Sequence, residues 1–196
     1  MNVATATTVY AGSMAVHLPQ FRLGSVLATS FTGTLTERAG SPVERIPTPA
    51  RLLDWFHEYG LAVKDCSPTQ LELAKDLRES VHLVATAAAL DDPLPSGGLA
   101  CINGFSAAGG ARPVLTPERL RTWRLREGEE LEDALGVIAA DAIEIISGQR
   151  DGRLALCASA TCRAAFFDTS RSRSRRWCDM NTCGNRQKKA RLNATT

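Results

Sequence analysis

The chain has 196 residues, of which 44% are hydrophobic. This length and composition allow one medium-sized domain and one small module, and no stretch approaches the roughly eighteen consecutive apolar residues of a membrane span. The formal net charge of +2 hides an uneven distribution: from residue 150 onward there are eleven Lys and Arg and three Asp, a charge of +8, whereas the other 12 basic and 18 acidic residues give −6. We therefore expect the C-terminal part to bind a polyanion and the rest of the chain not to.

The N-terminal part carries few structural signals. Residues 1–20 are rich in Ala, Thr and Ser without a clear period, so we expect residues 1–22 to form a flexible arm or a loosely attached edge strand. The start also lacks the basic and apolar regions of a signal peptide, and we expect a cytoplasmic protein with reduced thiols. The short apolar run 27–35 fits either a strand or a helical turn.

Two helices have clear start signals. Thr48 as N-cap and Pro49 at the first helical position begin one helix, which Gly60 ends. Ser67 and Pro68 begin a second helix of about six turns. The residues expected to be buried are Leu52, Leu53, Phe56 and Tyr59 on the first helix, and Leu71, Ala74, Leu77, Val81, Val84 and Ala88 on the second.

The rest of the body predicts a third long helix and a small hairpin. A short apolar piece within 93–112 fits a helix, and 112–125 fits a β-hairpin although Pro117 lies inside it. The long helix covers about 129–146. Its expected buried stripe consists of Leu131, Leu135, Ile138, Ala139, Ala142, Ile145 and Ile146. The predicted class is α+β, with a mostly helical body that carries a small β-hairpin and is followed by a C-terminal module.

Four cysteines of that module occur as two pairs, each with four intervening residues. Two close pairs can place four thiolates about 2.3 Å from one zinc ion, and a segment this short has no core that could order it without metal. In a cytoplasmic protein this ligand role is favoured over disulfides. We predict one structural Zn²⁺, and its ligands are Cys157, Cys162, Cys178 and Cys183.

The residues around these cysteines predict a treble-clef-like zinc finger over 151–196. In chain order we expect a turn over 154–162 that presents two thiolates, a hairpin over 166–177, and a helix that begins at Cys183 and runs through Lys189. Three aromatic residues are expected to pack over the zinc, because so small a module needs each of its large apolar groups. They are Phe166, Phe167 and Trp177.

Four stretches resemble the CGNR zinc finger, which is named for the last of them: CASATC at 157–162, FFDTSR at 166–171, SRRWC at 174–178 and CGNR at 183–186. In bacteria this finger usually follows an α/β body called the ABATE domain, a family of stress-induced transcription regulators. The body resembles that architecture, so the resemblance covers about residues 23–192. It implies an ABATE-like regulatory or dimerisation domain over 23–150 and a DNA-binding finger over 151–196.

One segment of the body departs from the family pattern. Family members usually carry a stretch like LALDFVNT near the start, and residues 27–34 are LATSFTGT. Ser30 and Gly33 stand where the family has Asp and Asn. If those polar groups line a ligand pocket in the family, we expect that pocket to be altered here.

The charges of the finger indicate nucleic acid independently of the resemblance. Arginines that alternate with serines suit phosphate contacts, and a helix fits the major groove, where Arg can contact guanine and Asn adenine. We expect Asn185 and Arg186 to contact bases and the other cations to contact phosphates. The candidate DNA-binding residues are Arg171, Arg173, Arg175, Arg176, Asn185, Arg186, Lys188, Lys189 and Arg191. Charge alone does not separate double-stranded DNA from RNA, and a protein-interaction module is a further alternative.

An enzyme is the class that the sequence favours least. A treble-clef nuclease needs a histidine in its finger, and all three histidines lie before residue 90. Four thiolates also leave no zinc position for a catalytic water. We expect a sequence-specific DNA-binding transcription regulator without enzymatic activity or membrane contact. A homodimer that binds two half-sites, and a small-molecule effector in the body, would fit this role.

Overall fold

The computed structural model describes residues 19–193, except for the side chain of Arg191. Most of the predicted arm 1–22 therefore lies outside the described residues. Its last residues contact the body: the Arg51 guanidinium lies 3.7 Å from the centre of the Phe21 ring and donates a hydrogen bond to the Pro19 carbonyl at 3.0 Å. The described chain thus begins against the body.

The N-caps that the sequence predicts are confirmed. The Thr48 hydroxyl accepts a hydrogen bond from the Arg51 N–H at 3.3 Å, and Ser67 forms a capping box with Gln70. Asp91 ends the second of these helices in a left-handed conformation. Six α-helices lie within residues 19–193: α1 (Leu27–Thr32), α2 (Pro49–Glu58), α3 (Pro68–Leu90), α4 (Ser96–Ala108), α5 (Glu130–Ile146) and α6 (Asn185–Asn193).

The strands of the described chain form three separate antiparallel pairs, which confirms the α+β class. They are β1 (Leu35–Thr36) with β2 (Val43–Glu44), β3 (Arg112–Leu115) with β4 (Arg121–Arg124), and β5 (Arg153–Leu156) with β6 (Ala165–Asp168). The predicted body hairpin is β3–β4, and Pro117 lies in its connecting loop, where no strand hydrogen bond is lost. The ambiguous run 27–35 is helical over α1 and enters β1 at its end. None of the helices within residues 19–193 is long and apolar enough to cross a membrane.

The core of the body lies between α1, α2, α3, α4 and α5. The sequence missed its largest member, Trp55, which is fully buried with its ring centre 5.0 Å from that of Phe31. Leu53 and Tyr59, expected on the buried face of α2, are only partly buried. The reason is tertiary, because Phe31 of α1 packs against the Trp55 ring. The predicted stripes of α3 and α5 are otherwise buried, apart from the half-buried Ala88 and Ile146.

The finger differs from the prediction in how its strands pair. The expected hairpin over 166–177 is wrong: β6 pairs with β5, so that Leu156 lies opposite Ala165 and Arg153 opposite Asp168. The expected turn over 154–162 is likewise partly strand, since β5 extends to Leu156 and the turn follows it. Residues 169–179 form no strand. The segment 171–176 is polar and exposed throughout, so it offers no apolar face for pairing.

The β5–β6 pair joins the finger to the body. Successive side chains of a strand point to opposite faces. Phe166 accordingly packs in the cysteine cluster, whereas Phe167, together with Leu154, packs in the core of the body. The prediction that Phe167 covers the zinc is therefore wrong, while Phe166 and Trp177 do pack against the cysteines.

Candidate zinc centre and nucleic-acid interface

The four predicted zinc ligands converge at one point. Their Sγ atoms all lie within 4.8 Å of one another, and Cys178 Sγ is 3.7 Å from the Sγ atoms of both Cys162 and Cys183. A tetrahedral site with Zn–S bonds of about 2.3 Å has edges of about 3.8 Å. Cys178 is half-buried and the other three cysteines are fully buried. The donor set and its spacing fit a single structural zinc ion.

Short turns present the first pair of ligands. Cys157 follows β5 and donates its N–H to the Ala164 carbonyl at 2.9 Å, and Cys162 donates its N–H to the Ser159 carbonyl at 3.1 Å. Arg163 then adopts a positive φ of 51°, which reverses the chain into β6. This knuckle, residues 157–162, points both thiols inward.

The second pair belongs to an early helical turn, which Cys178 precedes and which contains Cys183. The expected helix start at Cys183 is wrong, because a π-helical turn already begins at Met180 and continues into α6. Asp179 caps that turn, accepting from the Asn181 N–H at 2.8 Å and from the Thr182 hydroxyl at 2.9 Å. A Cβ at Gly184 would lie 2.7 Å from the Met180 sulfur, so a larger residue at this position of the CGNR motif would displace the exposed Met180 side chain.

Three of the four thiols affect one another's ionisation. Hydrogen bonds from Cys162 and Cys178 lower the pKa of Cys157, and hydrogen bonding to Cys157 raises the pKa of both Cys162 and Cys178. Four thiolates at these distances therefore need a cation to compensate their charge. These four cysteines would hold a Zn²⁺ ion as thiolates, and the ion would supply the compensating charge.

The basic loop, residues 169–177, is held by a buried carboxylate. Asp168 accepts hydrogen bonds at 2.9 Å from the backbone N–H groups of Ser170 and Arg175. Burial raises the pKa of Asp168, but these hydrogen bonds outweigh that effect and lower it. The loop is thereby closed at its base, and its arginines project into solvent. They are Arg171, Arg173, Arg175 and Arg176.

These arginines differ in what they contact. Arg173 forms an ion pair with Asp151, and Arg175 donates to the Cys178 carbonyl at 2.8 Å. Arg176 lies 5.4 Å from the centre of the Trp177 ring. Arg171 has no acidic partner among residues 19–193. All four are exposed, so an incoming anion could reach them.

On α6 the predicted contacts separate into two groups. Lys188 and Lys189 are exposed without an acidic partner in the described range, and Asn185 is exposed with its amide 3.3 Å from the Asn181 carbonyl. The side chain of Arg191 lies outside the described residues. Arg186 differs from these residues, because its guanidinium is directed at the body.

Arg186 forms a junction between the finger and the body. Its two terminal nitrogens bond the two carboxylate oxygens of Glu37, the second at 3.0 Å, and it also donates to the Thr161 hydroxyl at 3.0 Å. Thr161, in the knuckle, donates to Glu37 at 2.8 Å, and Arg22 lies 3.8 Å from the same carboxylate. We call Glu37, Arg186, Thr161 and Arg22 the Glu37 junction. It links the body, the knuckle and the start of α6.

Charge and backbone geometry both support this junction. The hydrogen bond to Arg186 lowers the pKa of Glu37 and raises that of Arg186. Glu37 has a positive φ of 56°, which non-glycine residues seldom adopt, and the adjoining turn donates the Ala39 N–H to the Thr161 carbonyl at 3.1 Å. Sequence reasoning missed Glu37, because no local pattern connects residues 149 positions apart.

A cleft of 760 Å³ separates the start of the body from the finger. Ser30 and Gly33, the two positions that depart from the family pattern, line it from the body, and Cys162, Phe166 and Cys178 line it from the finger. The altered positions therefore lie at the boundary between body and finger, close to the zinc ligands.

Comparison with known proteins identifies both parts of the chain. Residues 25–149 match the family model ABATE, described as "Putative stress-induced transcription regulator", and residues 153–195 match the model of the CGNR zinc finger. A search of curated proteins found no match. The ABATE match spans more than half of this chain, so the chain belongs to the ABATE family. A CGNR zinc finger with a structural zinc site follows the ABATE domain.

Proposed function

We propose that this protein is a transcription regulator that binds double-stranded DNA through its zinc finger. The observation that carries the proposal is the exposed cationic surface of a metal-ordered unit. Four of its predicted DNA-binding cations have no acidic partner within residues 19–193, and the same holds for the exposed Arg153 and Arg163. The four are Arg171, Arg176, Lys188 and Lys189. Phosphates are the ligands that such a surface recognises best.

The zinc and the Asp168 cap give this surface a fixed shape. The zinc joins the knuckle to α6, and Asp168 closes the basic loop next to them. Cations held in this way lose little conformational freedom when they bind phosphates. We propose that the loop arginines and the two lysines contact the backbone, and that Asn185 contacts base edges from α6.

Arg186 takes a different part in this proposal. To contact a base it would have to leave Glu37, whose carboxylate would then keep only Thr161 and Arg22 as partners. A bidentate charge-assisted pair is strong, and its loss would oppose DNA binding. We propose that Arg186 fixes the orientation of α6 on the body rather than contacting bases.

The chemistry of the finger supports binding rather than catalysis. Four thiolates complete a tetrahedral zinc shell, so no position is left for an activated water. We propose that a small-molecule effector, if there is one, binds in the cleft beside Ser30. The effector and the homodimer stay predictions. The proposed function requires neither of them.

DNA selection with the zinc-loaded full-length protein tests the proposal. We expect enrichment of a short duplex motif, and its symmetry would report the number of half-sites bound. The triple variant Arg171→Gln/Arg173→Gln/Arg176→Gln, which keeps all four cysteines, should lose this enrichment. Failure of the unmodified protein to retain duplex DNA at low salt would contradict the proposal, and preferential retention of structured RNA would favour the alternative.

A further inference from the structure

The β3–β4 hairpin contains the exposed cations of the body that have no acidic partner among residues 19–193. Before residue 150 the chain has 12 Lys and Arg. Seven of them form ion pairs, as Arg78 does with Glu44 at 2.8 Å. Arg45 is buried and bonds Thr36 and backbone carbonyls. The remaining four have no carboxylate partner among residues 19–193, and all belong to the hairpin: Arg112, Arg119, Arg121 and Arg124.

This hairpin is therefore a basic element on an otherwise acidic body. Residues 112–124 contain four Arg and one acidic residue, Glu118, so their charge is +3, whereas the chain before residue 150 has −6. Both strands are largely exposed. The charge of the whole body thus hides a local surface that suits an anion.

The arrangement of the arginines is unfavourable without an anion. Arg112 and Arg124 lie directly opposite each other in the ladder, and like charges at such positions are destabilising. Arg121 stacks on Trp123 with its guanidinium 4.3 Å from the ring centre, which holds it in place. A phosphate backbone would compensate these charges, because each guanidinium can bond phosphate oxygens through two N–H groups.

The hairpin also lies on the side of the body from which the finger emerges. Its base is held at the start of α5, where Asp133 accepts hydrogen bonds from Gly110 and Arg126. Further along, Arg121 and Trp123 line a cleft of 390 Å³ together with residues from the end of α5. These include Asp141, Glu144 and, just beyond the helix, Arg150.

The connection from this cleft to the basic loop is short. The two carboxylates of the cleft already pair with Arg150, Asp141 at 2.6 Å, so they do not serve Arg121. The next residue, Asp151, pairs with Arg173 of the basic loop. One duplex along this end of α5 could therefore contact both basic elements.

We propose that the β3–β4 hairpin is a second DNA contact, whose arginines bind phosphates of the duplex that the finger binds. This inference rests on the proposed function and extends it from the finger to the body. The contact is to the backbone, so it adds affinity and orientation without sequence preference. It extends to the body the polyanion binding that the charge distribution predicts only for the C-terminal part.

Two hairpin variants of the zinc-loaded full-length protein test the inference. The control is Lys64→Gln/Lys75→Gln, which removes two ion-paired cations elsewhere on the body. Binding of a 30-base-pair duplex is measured over a range of salt. For Arg119→Gln/Arg121→Gln we expect roughly tenfold weaker binding and a log–log salt slope smaller by about 1.8, from about 0.9 per phosphate contact. The control should match the unmodified protein.

The second variant separates binding from folding. Arg112→Gln/Arg124→Gln removes the like-charge pair of the ladder, so its melting temperature should stay the same or rise while its DNA affinity falls. A purely structural role would lower both. The inference would be overturned if both hairpin variants kept the DNA affinity and salt slope of the unmodified protein while the finger variant Arg171→Gln/Arg173→Gln/Arg176→Gln lost DNA affinity. That outcome would leave the proposed function intact.

The remaining outcomes are equally distinct. If the unmodified protein does not bind the duplex at low salt, the proposed function fails, and the inference fails with it. If the hairpin variants lose affinity for structured RNA but keep their affinity for duplex DNA, the hairpin serves another partner and the inference is overturned.

Discussion

The body and the finger of this protein are ordered by different forces. More than twenty buried hydrophobic residues form the core of the body, whereas the cluster of the finger has six buried members, three of them cysteines. A core of the first kind folds by burying apolar surface, and the second needs a metal because it has too little such surface. The two parts should therefore respond differently to the same perturbation.

The two parts also treat their charges differently. Outside its hairpin, the body neutralises its cations with its own carboxylates or buries them, and one such group, Glu37, even reaches into the finger. In the finger, cations such as Arg171 and Lys188 lack acidic partners within residues 19–193. Internal pairing contributes to the fold, whereas exposed unpaired charge is available for a partner. The unpaired cations therefore mark the surface on which we expect a partner to bind.

Removal of one zinc ligand should separate the two parts most strongly. In Cys183→Ser the finger should lose its zinc, its order and its DNA binding, because structural zinc contributes about 10 kcal/mol or more to small fingers. The core of the body should survive, which near-UV circular dichroism and zinc analysis can check. Cys101→Ser, which changes a cysteine outside the cluster, is the matched control. A Cys183→Ser protein with full zinc content would exclude Cys183 as a ligand.

Adjacent phenylalanines of β6 offer a finer comparison. Phe167→Ala should lower the free energy of unfolding of the body by about 3 kcal/mol and leave zinc bound, since Phe167 packs in the body core. Phe166→Ala should instead weaken zinc retention with little effect on the body. Chemical denaturation and competition with a zinc chelator measure the two effects. Equal effects of both variants would contradict the alternation of side chains between the two faces of β6.

The Glu37 junction should contribute less to the free energy of unfolding, through the coupling between Glu37 and Arg186. We expect a double-mutant cycle of Glu37→Gln and Arg186→Gln to give a coupling energy of about 1 kcal/mol, because Arg186 is nearly half exposed and solvent screens the pair. Thermal unfolding of the four proteins measures it. Strict additivity would show that the pair does not hold the finger. Arg186→Gln should also leave the salt slope of DNA binding unchanged if Arg186 makes no phosphate contact.

The same junction predicts a pH dependence. The pKa of Glu37 is lowered from its ordinary value of 4.5. The stability that the ionised Glu37 gives to the docked finger is therefore complete above pH 4.5 and is lost as the pH falls through the lowered pKa. Docking of the finger should therefore weaken in acid below about pH 4.5. The difference in melting temperature between the unmodified protein and Glu37→Gln should shrink over that range. A difference independent of pH would remove Glu37 from this role.

Single exposed cations of the finger should give the smallest effects. Lys189→Gln should reduce DNA affinity a few-fold and the salt slope by about 0.9, with no change in stability. Lys75→Gln, on the body, should change neither. Binding titrations at several salt concentrations provide the measurement, and a Lys189→Gln protein with an unchanged slope would place Lys189 outside the DNA contact.

Local signals of the sequence proved sufficient for α2, α3 and α5 and for the metal site. The caps at Thr48 and Ser67 act within four residues, and the spacing of the cysteine pairs is a property of short turns. The packing of Trp55 and Phe167 was not accessible in this way. Each side chain lies where another element covers it, and the pattern of its own segment does not specify that element.

The sequence by itself determined the helical body, the zinc ligands and the division of charge, because each depends on the identity and spacing of neighbouring residues. Only the tertiary structure decided which strand pairs with β6, that Arg186 is directed at Glu37, and that body cations outside the hairpin, such as Arg78, pair with carboxylates. These features join residues that are distant in the chain. They depend on which surfaces meet in the folded protein, and composition and periodicity carry no information about that.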